Sequence, residues 1–296
     1  MKKSKMLVLF LAAVLLMGAF TGCAPANTNE PAANEPAATE PAASGVSGSI
    51  TVNGSTSVQP LAEELSKAFT GKNPGATIDI QGGGSGVGIK SAVDGVVDIG
   101  MSSRDLKPEE KTLKEFKIAV DGIAVIVNPA NEVTNLTMEQ IFKIYTGEIT
   151  DWKDVGGKTG KITVVTREEG SGTRGAFIEL AGIQVKEGDS TVDKTIANAI
   201  TQGSTGAVMT TVAGDPNAIG YASFGSAKGK TDIKLVNVDG KECTEDNIYS
   251  GEYKISRPFL MLTQAEPTGL AKSFLDYILS PEGQDIVGDH GYLKVK

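Results

Sequence analysis

From residue 48 the chain alternates short, β-branched apolar runs with stretches whose apolar residues return every three or four positions. That alternation predicts α/β layers with much parallel pairing. Strands are expected over residues 49–53, 77–80 and 97–100, a helix over 59–70 with Leu61, Leu65 and Phe69 on one stripe, and a shorter helix over 87–93. Residues 118–128 form an apolar run longer than a typical strand, able to pass from one domain into another. Thr137-Met138-Glu139-Gln140 has the form of a capping box opening a helix through Tyr145, in which a threonine and a glutamine three residues apart satisfy backbone N–H groups reciprocally. The remaining pattern predicts a strand at 161–166, helices at 191–200 and 204–213, strands at 218–222, 233–238 and 255–263, and helices at 274–279 and 283–287. Pro258 lacks an N–H, which marks the strand at 255–263 as a connector or an edge.

Together these elements predict a two-lobed α/β fold with a cleft between the lobes and two chain crossings, near residues 126–128 and 254–258. Residues 48–126 and 257–296 would form the first lobe and residues 127–256 the second. Ligands of open α/β sheets sit beyond the carboxyl ends of strands, where loops lead into helix N-termini, so the chemistry is expected there.

The N-terminal region changes the picture of where this fold works. Lys2, Lys3 and Lys5 precede an apolar run over residues 6–20, about fifteen residues and too short for a comfortable membrane span, so residues 1–22 read as an export signal. Phe20-Thr21-Gly22-Cys23 resembles a bacterial lipobox, with phenylalanine where leucine is usual, and Cys23 is the expected lipidation site. Residues 23–47 then form the lipidated cysteine and a tether. Asn-Glu-Pro-Ala-Ala stands at 29–33 and 34–38, followed by Thr-Glu-Pro-Ala-Ala at 39–43, with almost nothing to build a core. A mixed coil and polyproline segment of this length reaches on the order of 30 Å on average.

Composition narrows the functions. The full chain carries 36 acidic and 28 basic residues, a net charge of −8; removal of the leader's three lysines takes it to about −11. This argues against a nucleic-acid partner, and any anion must be held by local donors in a closed site, since charges at a distance repel it and are screened within about 8 Å. With two cysteines and one histidine, most zinc frameworks, disulfide scaffolds and histidine-dependent triads are ruled out, and no metal or cofactor is expected. Cys243 reads as a small buried hydrophobe and His290 as a solvated loop residue.

Three segments share one design, a strand, a Gly/Ser/Thr loop and a helix start: Asn53-Gly54-Ser55-Thr56-Ser57-Val58, Gly82-Gly83-Gly84-Ser85-Gly86-Val87-Gly88, and Arg167-Glu168-Glu169-Gly170-Ser171-Gly172-Thr173-Arg174. A helix N-terminus offers free N–H groups and about half a positive charge, glycine admits a ligand to the backbone, and hydroxyls add rotatable donors. Each loop alone is equally an ordinary capped turn; three of them, with Arg167, point to an anion. A P-loop is excluded because Gly88-Ile89-Lys90-Ser91 has no glycine directly before the lysine, and no G-x-S-x-G elbow is present.

At these loops the chain resembles the periplasmic phosphate-binding proteins of ABC importers, through Gly54-Ser55-Thr56-Ser57, Gly84-Ser85-Gly86 with Ile89-Lys90, Gly100-Met101-Ser102-Ser103-Arg104, and Arg167 with Gly170-Ser171-Gly172-Thr173. The resemblance covers roughly residues 49–290. It implies a venus-flytrap fold closing over one dehydrated phosphate, with no bond made or broken. By position, Thr56 and Ser57 would supply hydroxyl and backbone donors, Ser85 a hydroxyl, Arg167 the charge-assisted contact, and Ser171, Gly172 and Thr173 the opposite wall, with Ser55 a further candidate. Much of the family has an aspartate where this chain has Ser103; a carboxylate accepts the proton that phosphate keeps and sulfate lacks. Ser103 accepts through a lone pair, while Asp105 and Glu168 are candidates to supply a carboxylate. Arg104 is divided between a ligand contact and an ion pair within the lobe. The resemblance implies a monomeric, extracytoplasmic lipoprotein whose partners are inorganic phosphate, ABC permease subunits and, through its lipid, a membrane. Sulfate, molybdate or another tetrahedral oxyanion, and a phosphate sensor or surface adhesin, remain alternatives.

Overall fold

The computed structural model describes residues 45–188 and 190–295. The expected leader, Cys23 and the tether as far as residue 44 lie outside the described residues.

The first lobe opens with β1 (Gly48–Gly54), α1 (Gln59–Lys72), β2 (Ala76–Gly82), α2 (Ser85–Val93) and β3 (Ile99–Ser102). β1 pairs in parallel with β2 on one side and β3 on the other. The expected stripe of α1 is buried, and Phe69 meets Phe274 edge-on at 5.5 Å. Close packing of α2 on this sheet depends on glycine. A Cβ on Gly88 would stand 2.7 Å from the carbonyl oxygens of Asn53 and Met101, and one on Gly54, at φ +136°, 2.3 Å from the Met101 carbonyl oxygen. Backbone contacts that short leave no side-chain rotamer to relieve them, so these glycines set the depth at which the loops around Ser55 and Ser85 lie.

The apolar run becomes β4 (Lys114–Val127), fourteen residues long. The second lobe follows as β5 (Asn135–Leu136), α3 (Met138–Thr146), β6 (Thr163–Arg167), α4 (Gly172–Leu180), β7 (Gln184–Glu187), β8 (Ser190–Asp193), β9 (Ile200–Gln202), α5 (Thr205–Gly214), β10 (Ala218–Ser223), α6 (Phe224–Ala227), β11 (Lys234–Val238) and α7 (Glu245–Tyr249). β12 (Ser256–Thr263), α8 (Gly269–Leu279) and α9 (Pro281–Asp289) return to the first lobe. The capping box forms as expected: the Gln140 N–H donates to Thr137 Oγ1 and the Thr137 N–H to Gln140 Oε1.

One sheet runs through both lobes in the order β2-β1-β3-β12-β4-β10-β6-β9, with β11 paired to β4 and β5. β4 changes partners along its length. Residues up to Gly122 pair with β12, and from Ile123 onward they pair with β10 and β11. The core divides at the same place, with Ile118 and Ala119 packed in a cluster with Val52, Leu65, Phe259 and Phe274, and residues from Ile123 packed with Tyr145, Trp152, Phe177 and Tyr221.

Two local expectations fail. Residues 191–200 are not helical. Val192, Ile196 and Ile200 have helical spacing, but β8 pairs with β7 as a hairpin, Asp193 accepts the Thr195 N–H in a tight turn, and β9 joins β6; tertiary pairing of β-branched residues overrides the period. β12 lies inside the sheet rather than at its edge, because β3 covers Leu260–Leu262. Pro258 is tolerated because the stretch from Ser256 to Phe259 pairs with β4 alone, and the register shifts immediately after it, between Phe259 and Leu260.

Candidate functional site

The loops converge between the lobes. Ser55 begins the turn into α1; its N–H donates to the Met101 carbonyl, and its Oγ accepts from the N–H groups of Ser57 and Val58 and donates to Ser103 Oγ at 2.8 Å. Ser85 is the first residue of α2, and its Oγ accepts the Ser103 N–H at 3.0 Å. These three serines form one wall, supplied by the ends of β1, β2 and β3.

The facing wall comes from the second lobe. Ser171 caps α4 by accepting the Arg174 N–H, leaving Gly172 and Thr173 in the first turn. Thr173 Oγ1 lies 2.8 Å from Ser57 Oγ of the first lobe. At the end of β6, Arg167 is 1% exposed and directs its guanidinium across the cleft, Nη2 donating to Thr56 Oγ1 and Nη1 to Thr205 Oγ1, both at 3.1 Å. Glu168 grips the same guanidinium from outside, with Nε and Nη2 donating to its two carboxylate oxygens at 2.7 Å. The Gly86 N–H donates to the Gly170 carbonyl at 2.9 Å, a direct backbone bond between the lobes.

Thr205 was not anticipated. It is buried, opens α5, and places Oγ1 2.8 Å from Ser57 Oγ and 3.3 Å from Thr56 Oγ1, with its N–H donating to Thr56 Oγ1. Its signal was present, since Gly203-Ser204-Thr205-Gly206 after β9 repeats the design of the other three loops. Reading residues 191–200 as a helix removed the strand that would have introduced it.

Four helix N-termini, those of α1, α2, α4 and α5, thus gather in one region, with Thr56 before α1 and Thr205 of α5 accepting from the buried Arg167 guanidinium, Thr173 of α4 meeting Ser57, and Gly172 of α4 facing Ser85 of α2. Partial positive charges of this kind add where water is excluded. Support for Arg167 comes from Tyr221, whose hydroxyl accepts the Arg167 N–H and lies 2.9 Å from Thr166 Oγ1; burial pushes its pKa up to about 12, so it stays protonated.

Arg104 and Asp105 stand apart from this cluster. Arg104 forms a two-pronged ion pair with Glu110 at 2.7 and 2.8 Å, and hydrogen bonding from that guanidinium holds the Glu110 carboxyl below its ordinary range. Asp105 is exposed. Both line a cavity of about 880 Å³ beside the cluster, which also touches Gly86, Ser171, Arg174 and Arg257. There Arg174 pairs with Asp193, whose carboxyl burial would raise but whose bonds from Thr195 and Arg174 hold below the usual value.

Behind Ser103 lies a buried pair the loop motifs did not indicate. Arg257 Nη1 donates to the Ser103 carbonyl and Nη2 to Asp121 Oδ2, both at 3.0 Å. Burial pushes the Asp121 carboxyl upward against the pull of Arg257. The sequence hint was an arginine within an otherwise apolar strand. Cys243 is buried as expected, and burial pushes its thiol upward. Among the described residues no group of three or more His, Cys, Asp or Glu side chains could hold a metal ion, and no helix is long and apolar enough to cross a membrane.

Residues 38–282 match the family model of a PBP superfamily domain. The phosphate-binding protein PstS of Bacillus subtilis is 37% identical over 302 residues, covering 100% of this chain and 95% of the relative. A crystal structure with bound phosphate from Clostridium perfringens, of a substrate-binding protein assigned to phosphate ABC transport, matches with a TM-score of 0.79 and 46% identity over 84% of this chain and 100% of that one. An ABC-type phosphate transport receptor from Vibrio cholerae matches with a TM-score of 0.68 and 37% identity, over 83% of this chain and all of that one.

Proposed function

The chain belongs to the PstS phosphate-binding proteins of the PBP superfamily, and we propose that it captures inorganic phosphate between its lobes and delivers it to the membrane-spanning subunits of an ABC importer. The observation that carries this reading is the convergence of loops from both lobes: Thr56 and Thr205 meet the buried Arg167, Ser57 meets Thr173 and Thr205, and Ser85 faces Gly172. Such a set offers many donors and one full positive charge to a small tetrahedral dianion, and each donor gains strength from the exclusion of water. Ser55, Ser103, Ser171 and Gly172 complete the walls, and Ser103 Oγ is the acceptor for the proton that phosphate retains. Lipid on Cys23 would hold the protein at the outer face of a membrane as a monomer; two or more acyl chains make such an anchor stable.

Calorimetric titration near neutral pH tests the proposal. Phosphate uptake that persists at high salt is expected, since a closed cleft keeps out screening ions. Absence of uptake would overturn the reading, and displacement by an equal concentration of sulfate would widen it to tetrahedral oxyanions in general.

Two substitutions discriminate within the site. Thr205→Val preserves shape and removes the hydroxyl shared by Arg167 and Ser57, and it is expected to weaken phosphate binding about tenfold. Arg104→Ala breaks the ion pair with Glu110 outside the cluster, and the same titration is expected to show affinity within about threefold of the parent chain. A large loss in Arg104→Ala would return that guanidinium to the ligand shell.

A further inference from the structure

Where the two crossing strands leave the first lobe, one ion pair ties together groups from both lobes. Asp121 of β4 and Arg257 of β12 stand directly opposite in the ladder and are 1% and 4% exposed. One rung further, Ser256 faces Gly122, and from Ile123 the β4 strand belongs to the second lobe's sheet. Arg257 reaches into the first lobe, where Nη1 holds the carbonyl of Ser103, and its guanidinium lies 5.3 Å from the centre of the Phe259 ring. Asp121 reaches the other way, its Oδ1 accepting from Ser223 Oγ at 3.0 Å and from the Gly225 N–H at 3.4 Å, both in the second lobe.

A buried ion pair is a poor way to gain stability, because desolvation consumes most of the attraction and apolar residues of equal volume serve as well. What it provides here is geometry. The planar fork of an arginine fixes two acceptors at once in set directions, which a lysine's single rotating ammonium does not. One of those acceptors belongs to Ser103, whose N–H and hydroxyl engage Ser85 and Ser55 in the candidate site.

We propose that Arg257, held by Asp121, is a positioning residue for oxyanion binding: it fixes the Ser103 turn against the second lobe, so that the serine wall is set before the anion arrives. The proposal rests on the phosphate reading. It is tested by titrating inorganic phosphate into the full chain and its Arg257→Lys, Ser103→Ala and doubly substituted variants, with melting temperatures measured in phosphate-free buffer. Arg257→Lys keeps a cation beside Asp121 and is expected to melt close to the parent while binding phosphate at least about tenfold more weakly. Ser103→Ala is expected to lose at least about threefold, and the double variant no more than the weaker single, within about twofold.

Parental affinity in Arg257→Lys, no loss in Ser103→Ala, or losses that multiply in the double variant would each overturn the proposal. Should Arg257→Lys fail to fold, Asp121→Asn, which keeps the shape but loosens the grip on Arg257, decides by the same criteria. If the parent chain takes up no phosphate, the phosphate reading itself fails and this proposal with it; where the parent does take up phosphate, a variant that binds as the parent does counts against the role of Arg257 alone.

Discussion

Arg167→Ala is expected to lower phosphate affinity by about a hundred- to ten-thousand-fold, the effect of losing two charge-assisted hydrogen bonds of ~1.5–3 kcal/mol each. Its two inward donors, Nη1 and Nη2, meet Thr205 and Thr56, so the guanidinium stands at the seam between the lobes. Removal has a second consequence. Both oxygens of Glu168 are held by Arg167, and without it a carboxylate beside the cluster faces the incoming dianion. Arg167→Ala with Glu168→Gln is therefore expected to recover part of the loss, whereas Glu168→Gln alone leaves the guanidinium in place and costs less. Calorimetry on the three variants, with melting temperatures in phosphate-free buffer, separates contact from folding. Affinity within threefold of the parent in Arg167→Ala would remove this residue from the site.

What the sequence revealed followed the range of the interactions concerned. Helix α1 and the Thr137 box are local and were legible, since a stripe or a cap is written within a few residues. The Gly/Ser/Thr loops were legible as a design because close approach to a helix N-terminus needs glycine and small hydroxyls whatever the surroundings. Thr205 carried the same signal, but Val192, Ile196 and Ile200 imitate a helical period and concealed the strand ahead of it. The failure at Pro258 is of another kind: a missing N–H forbids pairing on one side only, and which side β3 covers depends on register across the sheet. The Asp121–Arg257 pair, separated by 136 residues, depends wholly on that register. Arg104 presents two chemically sound partners and composition does not choose between them; in the structure its guanidinium meets Glu110 at 2.7 and 2.8 Å, and the Arg104→Ala titration is the test of a ligand contact.

Gly172→Ala is expected to abolish closure while leaving both lobes intact. Gly172 is the first residue of α4, where an alanine suits a helix better than glycine by about 0.5–1 kcal/mol. Its added methyl would meet the opposite lobe instead, at 2.2 Å from Ser85 Oγ, 2.8 Å from Ser103 Oγ and 2.9 Å from Ser85 Cβ. Rotating the Ser85 hydroxyl relieves only the first contact, because its Cβ is also too near, and the rotation gives up the bond from the Ser103 N–H. The lobes must therefore stay apart, which also breaks the bond from the Gly86 N–H to the Gly170 carbonyl. Phosphate then meets half a site, and a loss of at least about a hundredfold is expected from donors that no longer converge. In phosphate-free buffer the melting temperature should match or slightly exceed the parent's, and small-angle scattering should show no phosphate-induced contraction. Gly206→Ala is the control: it also lies in a first helical turn, yet the nearest atom to its added Cβ is Ser204 Oγ at 3.9 Å, and binding should be retained. If Gly172→Ala bound phosphate as the parent does, the juxtaposition of Ser85, Ser103 and Gly172 could not be the geometry that holds the anion.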